Sequence, residues 1–390
     1  MKPIDASFFE GKRPWSRIKD RVLGSYLPPY LRKTQRLRRP IVIVDCFAGR
    51  GTFRDGAPGS PLIICQQIKQ HAADRASAYF VNKRPEHHQA LTRTLGGFIE
   101  TGIAHPILGQ GESFLSDLTG QLRDQTVFVY LDPFGIKGCN FNATKRLLQR
   151  SASTSTEILM TLSMPVLHRL AAHRSGRGDT HGMVSRFHAL LDAVLGDVAW
   201  RDVMFDDGLA AAQKEEFIIA AYCEELRKYI RYACSCPVRD RDNSRTKYYI
   251  VFASRHPHAL LLMNDIMLSA YQDHTFAQTR EALPLFEPIL DDWRTTRTAQ
   301  QETLAGLIPG IVGRVGQITR GDLWERIVLT NFMAYREAEF RDAIQALVKT
   351  GAIVSESVSK QRLNDQSILR PAPVRPPTNR IRESAVRLTS

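Results

Sequence analysis

Short apolar runs alternate with amphipathic stretches through the first 163 residues. Five of the runs predict strands; four are rich in β-branched and aromatic residues, and 105–110 is a weaker candidate. The five runs are 41–44, 77–83, 105–110, 126–132 and 156–163. The stretches with helical periodicity are 61–72, 85–99 and 113–122. Strands that alternate with helices at this spacing form βαβ units, so the sequence predicts a parallel sheet in an α/β fold.

Beyond residue 163 the pattern becomes mainly helical. The predicted helices are 164–173, 182–232 and 258–272. A Gly-rich basic stretch, 174–182, separates the first two. Residues 237–254 predict a β-hairpin whose turn lies at Asp242, Asn243 and Ser244.

Residues 13–37 carry an apolar stripe at helical spacing on a strongly basic background. Pro28 and Pro29 interrupt this stripe, and a proline inside a helix removes a backbone hydrogen bond. The sequence therefore predicts two basic amphipathic helices broken at the prolines, within a basic N-terminal helical arm that spans 1–38.

The C-terminal part of the chain predicts a separate small domain. Residues 301–358 have a winged-helix-like pattern with helices at 321–329 and 336–351, and a polar, acidic connector, 273–300, precedes them. Residues 359–390 contain scattered prolines and arginines, which predicts a disordered basic tail.

The chain has 53 Lys and Arg against 40 Asp and Glu, a net charge of +13. Such a surplus attracts polyanions and favours nucleic acid as a partner, although a generally basic composition would also explain it. No apolar run reaches the ~18–20 residues that a membrane helix needs, so no membrane partner is predicted. The N-terminus lacks the apolar core of a secretory signal, and we expect a soluble cytoplasmic protein.

Six cysteines are present, and none forms a CxxC pair. The pair in Cys234-Ser-Cys236 is too tight and too isolated for a zinc site. The sequence therefore predicts reduced core thiols, without a metal site or a disulfide.

A glycine-rich loop, DCFAGRG (45–51), follows the first predicted strand. Glycine lets the backbone approach a ligand closely. Further on, Ser60 as N-cap and Pro61 at the first helical position predict a helix N-terminus, which favours a carboxylate or a phosphate. The loop resembles the first motif of S-adenosylmethionine (SAM) dependent methyltransferases, in which it wraps the methionine part of the cofactor. The alternative is a glycine turn in an unrelated α/β protein.

The second strand of such a fold is expected to end in an acid that binds the ribose hydroxyls. Asn82 stands at that position. Its amide oxygen can accept one such hydrogen bond, without the charge that strengthens it. Glu86, one turn later, could bind the ribose hydroxyls in place of the missing acid. Alternatively, its negative charge stabilises a helix N-terminus.

The fourth predicted strand ends at Asp132-Pro133-Phe134-Gly135. A carboxylate here can accept a hydrogen from a substrate amine, a proline-stiffened carbonyl can accept another, and an aromatic ring can stack on a base. LDPFG resembles the motif of tRNA guanine dimethyltransferases, which act on an exocyclic amine. The alternative is a strand-end turn in which Pro133 only fixes φ.

Four stretches together resemble the three-Cys-motif partner (TcmP) family. They are RPWSRIKDRVLGSYLPPYLRK, VDCFAGRGTFRDGAPGSPLI, YLDPFG and YYIVFASRHPHALLLMNDIM. The resemblance spans roughly residues 12–355 and implies a Rossmann-like class I methyltransferase sheet in a domain at 39–272, with a helical insertion at about 164–235. It also implies a three-Cys-motif, radical-SAM-like protein as a partner.

The resemblance implies the site by position. The residues that would line SAM are Asp45, Phe47, Gly49, Gly51 and Asn82, and those at the reaction edge are Asp132, Pro133 and Phe134. The chain departs from the family pattern at Arg50, Asn82 and Thr161, where proline, glutamate and asparagine are usual.

Three hypotheses follow. The first is a SAM-dependent methyltransferase that modifies an exocyclic amine of a nucleic-acid base. The second is a degenerate methyltransferase fold that binds nucleic acid or a partner protein without catalysis. The third is a protein or small-molecule methyltransferase, whose substrate binding would depend little on salt.

Overall fold

The computed structural model describes residues 14–172, 182–239, 245–282, 287–356 and 363–373. The chain divides into two compact units, Met1–Phe286 and Glu287–Ser390. No helix within the described ranges is long and apolar enough to cross a membrane. All six cysteines are buried free thiols.

The first unit is built on a sheet with seven strands among its described residues. They are β1 (Ile41–Asp45), β2 (Ala76–Asn82), β3 (Ala104–Leu108), β4 (Thr126–Leu131), β5 (Thr156–Ser163), β6 (Tyr232–Arg239) and β7 (Thr246–Ser254). Their order is β3-β2-β1-β4-β5-β7-β6. Neighbours pair in parallel except at β7, which is antiparallel to β5 and to β6. The five predicted strands and the Rossmann-like fold are confirmed.

Helices cover the sheet, which explains its continuous apolar strands. Every residue of β1 and of β4 is buried. The helices before the sheet's last two strands are α1 (Pro14–Thr34), α2 (Ser60–His71), α3 (Pro85–Thr94), α4 (Gly96–Glu100), α5 (Gly111–Gln121), α6 (Phe141–Leu148), α7 (Met164–Leu170), α8 (Met183–Leu195), α9 (Trp200–Met204) and α10 (Ala211–Arg227). A 3₁₀ turn spans Gln35–Leu37, and α11 (Pro257–Ala282) follows the sheet.

The helix α1 corrects the prediction of a helix pair, because it runs without a break through Pro28 and Pro29. Each proline removes a backbone hydrogen bond, but the packing of one face compensates for this loss. Leu23, Leu27 and Leu31 on that face are fully buried. The helix contacts α2 and α11, so the described part of the predicted arm packs within the first unit, and residues 1–13 lie outside the described residues.

The helical insertion is present as α7 to α10, and it ends earlier than predicted. The strand β6 begins at Tyr232, inside the predicted insertion and ahead of the predicted hairpin. The whole of β6 pairs with β7, so this antiparallel pair begins earlier in the chain than the predicted hairpin, which starts at 237. The predicted turn residues, Asp242, Asn243 and Ser244, and most of the basic stretch 174–182 lie outside the described residues.

One helix, α6, has no counterpart among the predicted elements. Its first turn is capped by Asn140, whose side-chain oxygen accepts a hydrogen bond from the backbone N–H of Asn142 at 2.8 Å. The helix follows the predicted turn at Asp132 and packs its apolar face into the core through Phe141 and Leu147.

The second unit contains helices and a small antiparallel sheet. Its elements are α12 (Glu287–Val315), β8 (Ile318–Thr319), α13 (Arg320–Thr330), α14 (Glu337–Lys349), β9 (Ile353–Glu356) and β10 (Ile368–Pro371). The strands have the order β8-β10-β9. The rings of Trp324 and Phe340 stack in its core with centroids 4.8 Å apart. The winged-helix-like identification stays a prediction.

Two sequence predictions around this unit need correction. The predicted connector 273–300 is largely helical, because α11 and α12 extend into it from either side. Residues 368–371 lie in the predicted disordered tail, yet they form β10 between β8 and β9. Burial of Leu369 holds this strand in place. Residues 374–390 lie outside the described residues.

Candidate active site

A cavity of about 420 Å³ opens at the carboxyl edge of the sheet, where β1, β4 and β5 end. Its size lies within the ~300–1,000 Å³ typical of small-molecule sites. Six of the residues predicted for the site border it: Phe47, Gly49, Gly51, Asp132, Pro133 and Phe134. Asp45 and Asn82 do not border it. The carboxyl ends of neighbouring parallel strands meet at one edge, which is why segments distant in sequence converge here.

Hydrogen bonds to two of its carbonyl groups hold the glycine loop in place. The N–H of Gly59 donates to the carbonyl of Gly51 at 2.8 Å, and Thr94 Oγ1 donates to the carbonyl of Arg50 at 3.1 Å. Gly51 has a φ of +88°, and a Cβ there would lie 2.8 Å from Thr94 Cγ2. Both facts require glycine at this position.

Gly49 has a different role in the same loop. A Cβ added at Gly49 would meet nothing within 4 Å, although Gly49 borders the cavity. Its backbone is therefore open to a ligand, as a loop that wraps a cofactor requires.

Asp45 joins the end of β1 to the start of α2. Its Oδ1 accepts from the Phe47 N–H at 3.1 Å, and its Oδ2 accepts from Ser60 Oγ at 2.7 Å. Burial raises the pKa of Asp45 to about 7, although these two hydrogen bonds favour the ionised form. Ser60 is the first residue of α2 and Gly59 its N-cap, which corrects the predicted capping role of Ser60. Its hydroxyl braces the loop instead.

Asn82 also braces the loop. Its Nδ2 donates to the carbonyl of Gly49 at 3.1 Å, and the residue is 5% exposed. This bond uses the amide as a donor, which an aspartate or a glutamate cannot supply. The sequence pattern predicts an acid at the end of the second strand. Asn82 stands there instead, and its amide makes a hydrogen bond to Gly49 that an ionised acid could not make.

Asp132 is held by two donors. Lys19 Nζ lies 2.6 Å from its Oδ2, and Thr161 Oγ1 donates to its Oδ1 at 2.5 Å. Only 16% of the Lys19 side chain and 22% of the Asp132 side chain are exposed. Lys19 Nζ also lies 5.3 Å from the centroid of the Tyr248 ring, within cation–π distance.

The turn after Asp132 places an aromatic ring at the cavity. The N–H of Gly135 donates to the carbonyl of Pro133 at 2.8 Å, which leaves that oxygen its second lone pair. Gly135 has a φ of +138°, a conformation that favours glycine. Phe134 between them borders the cavity and is 48% exposed, so one part of its ring can contact a ligand.

Two walls of the cavity were not predicted from the sequence. Lys19 and Asp20 come from α1, whereas Lys247 and Tyr248 come from the start of β7. Because β7 is antiparallel to its neighbours, its first residues lie at the edge where the parallel strands end. Lys19, Asp20 and Tyr248 lie in stretches that carry the family resemblance, but no sequence signal assigned them to the site, since only the packing of α1 and the reversal of β7 bring them here.

Comparisons with known proteins give distant structural likenesses only. No family model matches the chain, and no curated protein matches it. Protein LPL1258 from Legionella pneumophila is 10% identical with a TM-score of 0.39 over 65% of this chain and 92% of that one. An rRNA methylase from Streptococcus thermophilus is 12% identical with a TM-score of 0.29 over 63% and 97%. The plantazolicin methyltransferase BamL, solved with a triazolic desmethylPZN analogue and S-adenosylhomocysteine (SAH), is 10% identical with a TM-score of 0.31 over 62% of this chain and 85% of that one.

These likenesses define neither a family nor an activity for this chain. The Rossmann-like fold rests on the strand order, and the chemistry of the site rests on the residues around the cavity.

Proposed function

We propose that the cavity binds SAM and that the protein transfers its methyl group to an exocyclic amine of a nucleic-acid base. One observation carries the proposal: the loop that contains Gly49 and the turn that contains Asp132 border the same cavity. A backbone open to a cofactor thus faces a carboxylate that can accept a hydrogen bond from an amine.

The fold supports this proposal. The order β3-β2-β1-β4-β5-β7-β6, with β7 antiparallel, is typical of class I methyltransferases. Ligands of open α/β sheets bind outside the carboxyl ends of the strands, near the point where the strand order reverses. In this sheet that point is β1 and β4, whose following segments border the cavity.

The residues present fit the cofactor. Gly49 and Gly51 would admit it along their backbone, and Phe47 would contact it from the wall. The start of α2, where Gly59 and Ser60 border the cavity, favours the carboxylate of its methionine part. When bound, SAM supplies an electrophilic methyl group. Asp45 and Asn82 would act on the cofactor through the loop that they brace.

The acceptor side is formed by Asp132, Pro133 and Phe134. The Asp132 carboxylate would accept one hydrogen of the amine, and the free lone pair of the Pro133 carbonyl would accept the other. These contacts would direct the nitrogen lone pair, while the ring of Phe134 would stack on the base. As the nitrogen gains a methyl group it loses a proton, which Asp132 is placed to receive.

The charge of the chain supports nucleic acid as the carrier of the amine. The net charge is +13, and the outer face of α1 exposes Arg17, Arg21, Arg32 and Lys33. The three-Cys-motif protein stays a second proposed partner, based on the family resemblance alone. The cytoplasmic location stays a prediction.

A second candidate function is a binding module that has lost catalysis. Asn82 favours it, because the side chain expected to hold the ribose donates to the carbonyl of Gly49 instead. In that case the surface of the protein would matter more than its cavity.

Titration calorimetry with SAM and with SAH separates the two candidates. We expect binding in the micromolar range, followed by transfer of labelled methyl groups from SAM to RNA or DNA. The Asp132→Ala variant should keep the cofactor affinity and lose the transfer. A folded chain that binds neither compound would instead support the binding module, and acceptor binding that ignores salt would argue against nucleic acid.

A further inference from the structure

Lys19 fills the position at which Asp132 would accept an amine hydrogen. Its Nζ lies 2.6 Å from Oδ2, and Thr161 already donates to Oδ1. Both carboxylate oxygens therefore have a donor. Since the pair is mostly buried, water provides little competition for it.

Each carboxylate oxygen has a second lone pair, but Lys19 and Asp132 both border the cavity. An amine that approaches Oδ2 from the cavity therefore competes with an ammonium that already neutralises this carboxylate. The ammonium of Lys19 carries a charge opposite to that of the carboxylate, whereas a neutral amine offers only a polar N–H, so Asp132 favours Lys19. A neutral exocyclic amine therefore loses the exchange unless other contacts of its carrier add binding energy. Lys19 itself is not a methyl acceptor while the ion pair holds, because an ammonium nitrogen has no lone pair.

The cavity offers such additional contacts only to a larger ligand. Phe134 offers a ring on which a base can stack, and Arg50 and Lys247 add two more cations to the lining of the cavity. A free nucleoside has the base and lacks the phosphates that those cations attract.

We propose that Lys19 is a specificity-determining residue that excludes free nucleosides and admits bases carried in a polynucleotide. This inference rests on the proposed function and adds the substrate class to it. The polymer provides the binding energy that displaces Lys19 from Asp132, after which the amine takes its place.

Lys19→Gln is the test variant, and Arg21→Gln is its matched control. Arg21 lies on the same helix, carries the same charge and pairs with Asp273, with about half of its side chain exposed. Both substitutions remove one positive charge, so the general attraction to phosphate changes equally. Only Lys19→Gln releases Asp132.

The experiment compares nucleosides with short oligonucleotides as methyl acceptors. The probes are a mixture of adenosine, guanosine and cytidine, and single-stranded RNA and DNA that contain the same bases. We expect Lys19→Gln to raise the nucleoside kcat/KM itself by about tenfold or more. Arg21→Gln should leave the nucleoside kcat/KM unchanged, because a nucleoside has no phosphate for Arg21 to attract, and should lower only the oligonucleotide kcat/KM. A nucleoside kcat/KM that is the same in all three proteins overturns the proposal.

A binding measurement decides the matter without methyl transfer. Nucleosides are titrated into each protein with and without SAH. Lys19→Gln should bind them more tightly than the natural chain does, and Lys19→Arg should bind them no more tightly. Equal nucleoside affinities reject the role of Lys19 while the proposed function stands. If the protein does not bind SAH, the proposed function is rejected. The nucleoside titration without SAH still tests whether Lys19 limits nucleoside binding. Thermal melts show whether each variant is folded. If Lys19→Gln unfolds, Lys19→Arg, which keeps the positive charge, remains available as a folded variant for comparison.

Discussion

The side-chain amide of Asn82 donates a hydrogen bond to the backbone carbonyl of Gly49 at 3.1 Å. This contact ties the end of β2 to the loop that follows β1. It explains why an amide stands at this position instead of the predicted acid, since a carboxylate would face the carbonyl oxygen without a proton to share.

The Asn82→Asp substitution should therefore weaken cofactor binding, although it introduces the acid that the methyltransferase motif predicts at this position. The loss of a buried hydrogen bond and the new repulsion should cost about 1–3 kcal/mol in stability. Calorimetry with SAM and a thermal melt measure the two effects. Asn140→Asp is the control, because Asn140 acts as an acceptor and aspartate keeps that contact. Tighter SAM binding by Asn82→Asp would show that the ribose contact matters more than the brace.

Alanine at the two loop glycines should affect different properties: stability at Gly51 and SAM affinity at Gly49. Gly51→Ala forces a side chain into a φ of +88° and against Thr94, so we expect a loss of about 1–3 kcal/mol in stability. Gly49→Ala meets no protein atom within 4 Å, so the melting temperature should stay and SAM affinity should fall as the methyl group enters the cavity. Denaturation and calorimetry on both variants test this. The idea fails if Gly49→Ala binds SAM as the natural chain does.

Phe134 should contribute to acceptor binding and little to stability. The ring is 48% exposed, so Phe134→Ala removes little core packing. Stacking on a base is worth roughly 1–3 kcal/mol, so the affinity for single-stranded RNA or DNA should fall by that amount. Fluorescence anisotropy measures it. Phe217→Ala is the control, because Phe217 is 51% exposed on α10 and does not border the cavity. An equal loss in both variants would remove Phe134 from the acceptor site.

Glu157 should make stability depend on pH. It is buried on β5, where its Oε2 accepts from the Tyr26 hydroxyl at 2.6 Å. Burial raises the pKa of Glu157 to about 7. The folded chain thus holds this proton more tightly than the unfolded chain, in which glutamate titrates near ~4.3. Its contribution is complete below about pH 4 and is lost as the pH rises to about 7.

The test is urea denaturation across that pH range for the natural chain and for Glu157→Gln. The natural chain should lose stability as the pH rises, by up to about 3 kcal/mol from this group. Glu157→Gln should flatten the profile in part, because Asp45 has a similarly raised pKa and keeps its own contribution. The exposed residue Glu100 provides the control substitution, Glu100→Gln. Identical pH profiles for Glu157→Gln and the natural chain would contradict this role.

The sequence by itself determined the sheet and the core of the site. Alternation of apolar runs with helical stretches is a local pattern, so β1 to β5 and the helices α2 to α5 could be predicted from it. Local chemistry likewise marked the glycine loop and the turn at Asp132, since each lies directly after a buried strand.

Only the tertiary structure decided what surrounds these motifs. The continuity of α1 through Pro28 and Pro29 depends on burial against the rest of the unit, which no local signal reports. The same packing brings Lys19 to Asp132, and the reversal of β7 brings Tyr248 beside it. Contacts between residues far apart in the chain depend on the fold as a whole, so the sequence predicted the carboxylate and the structure supplied its partner.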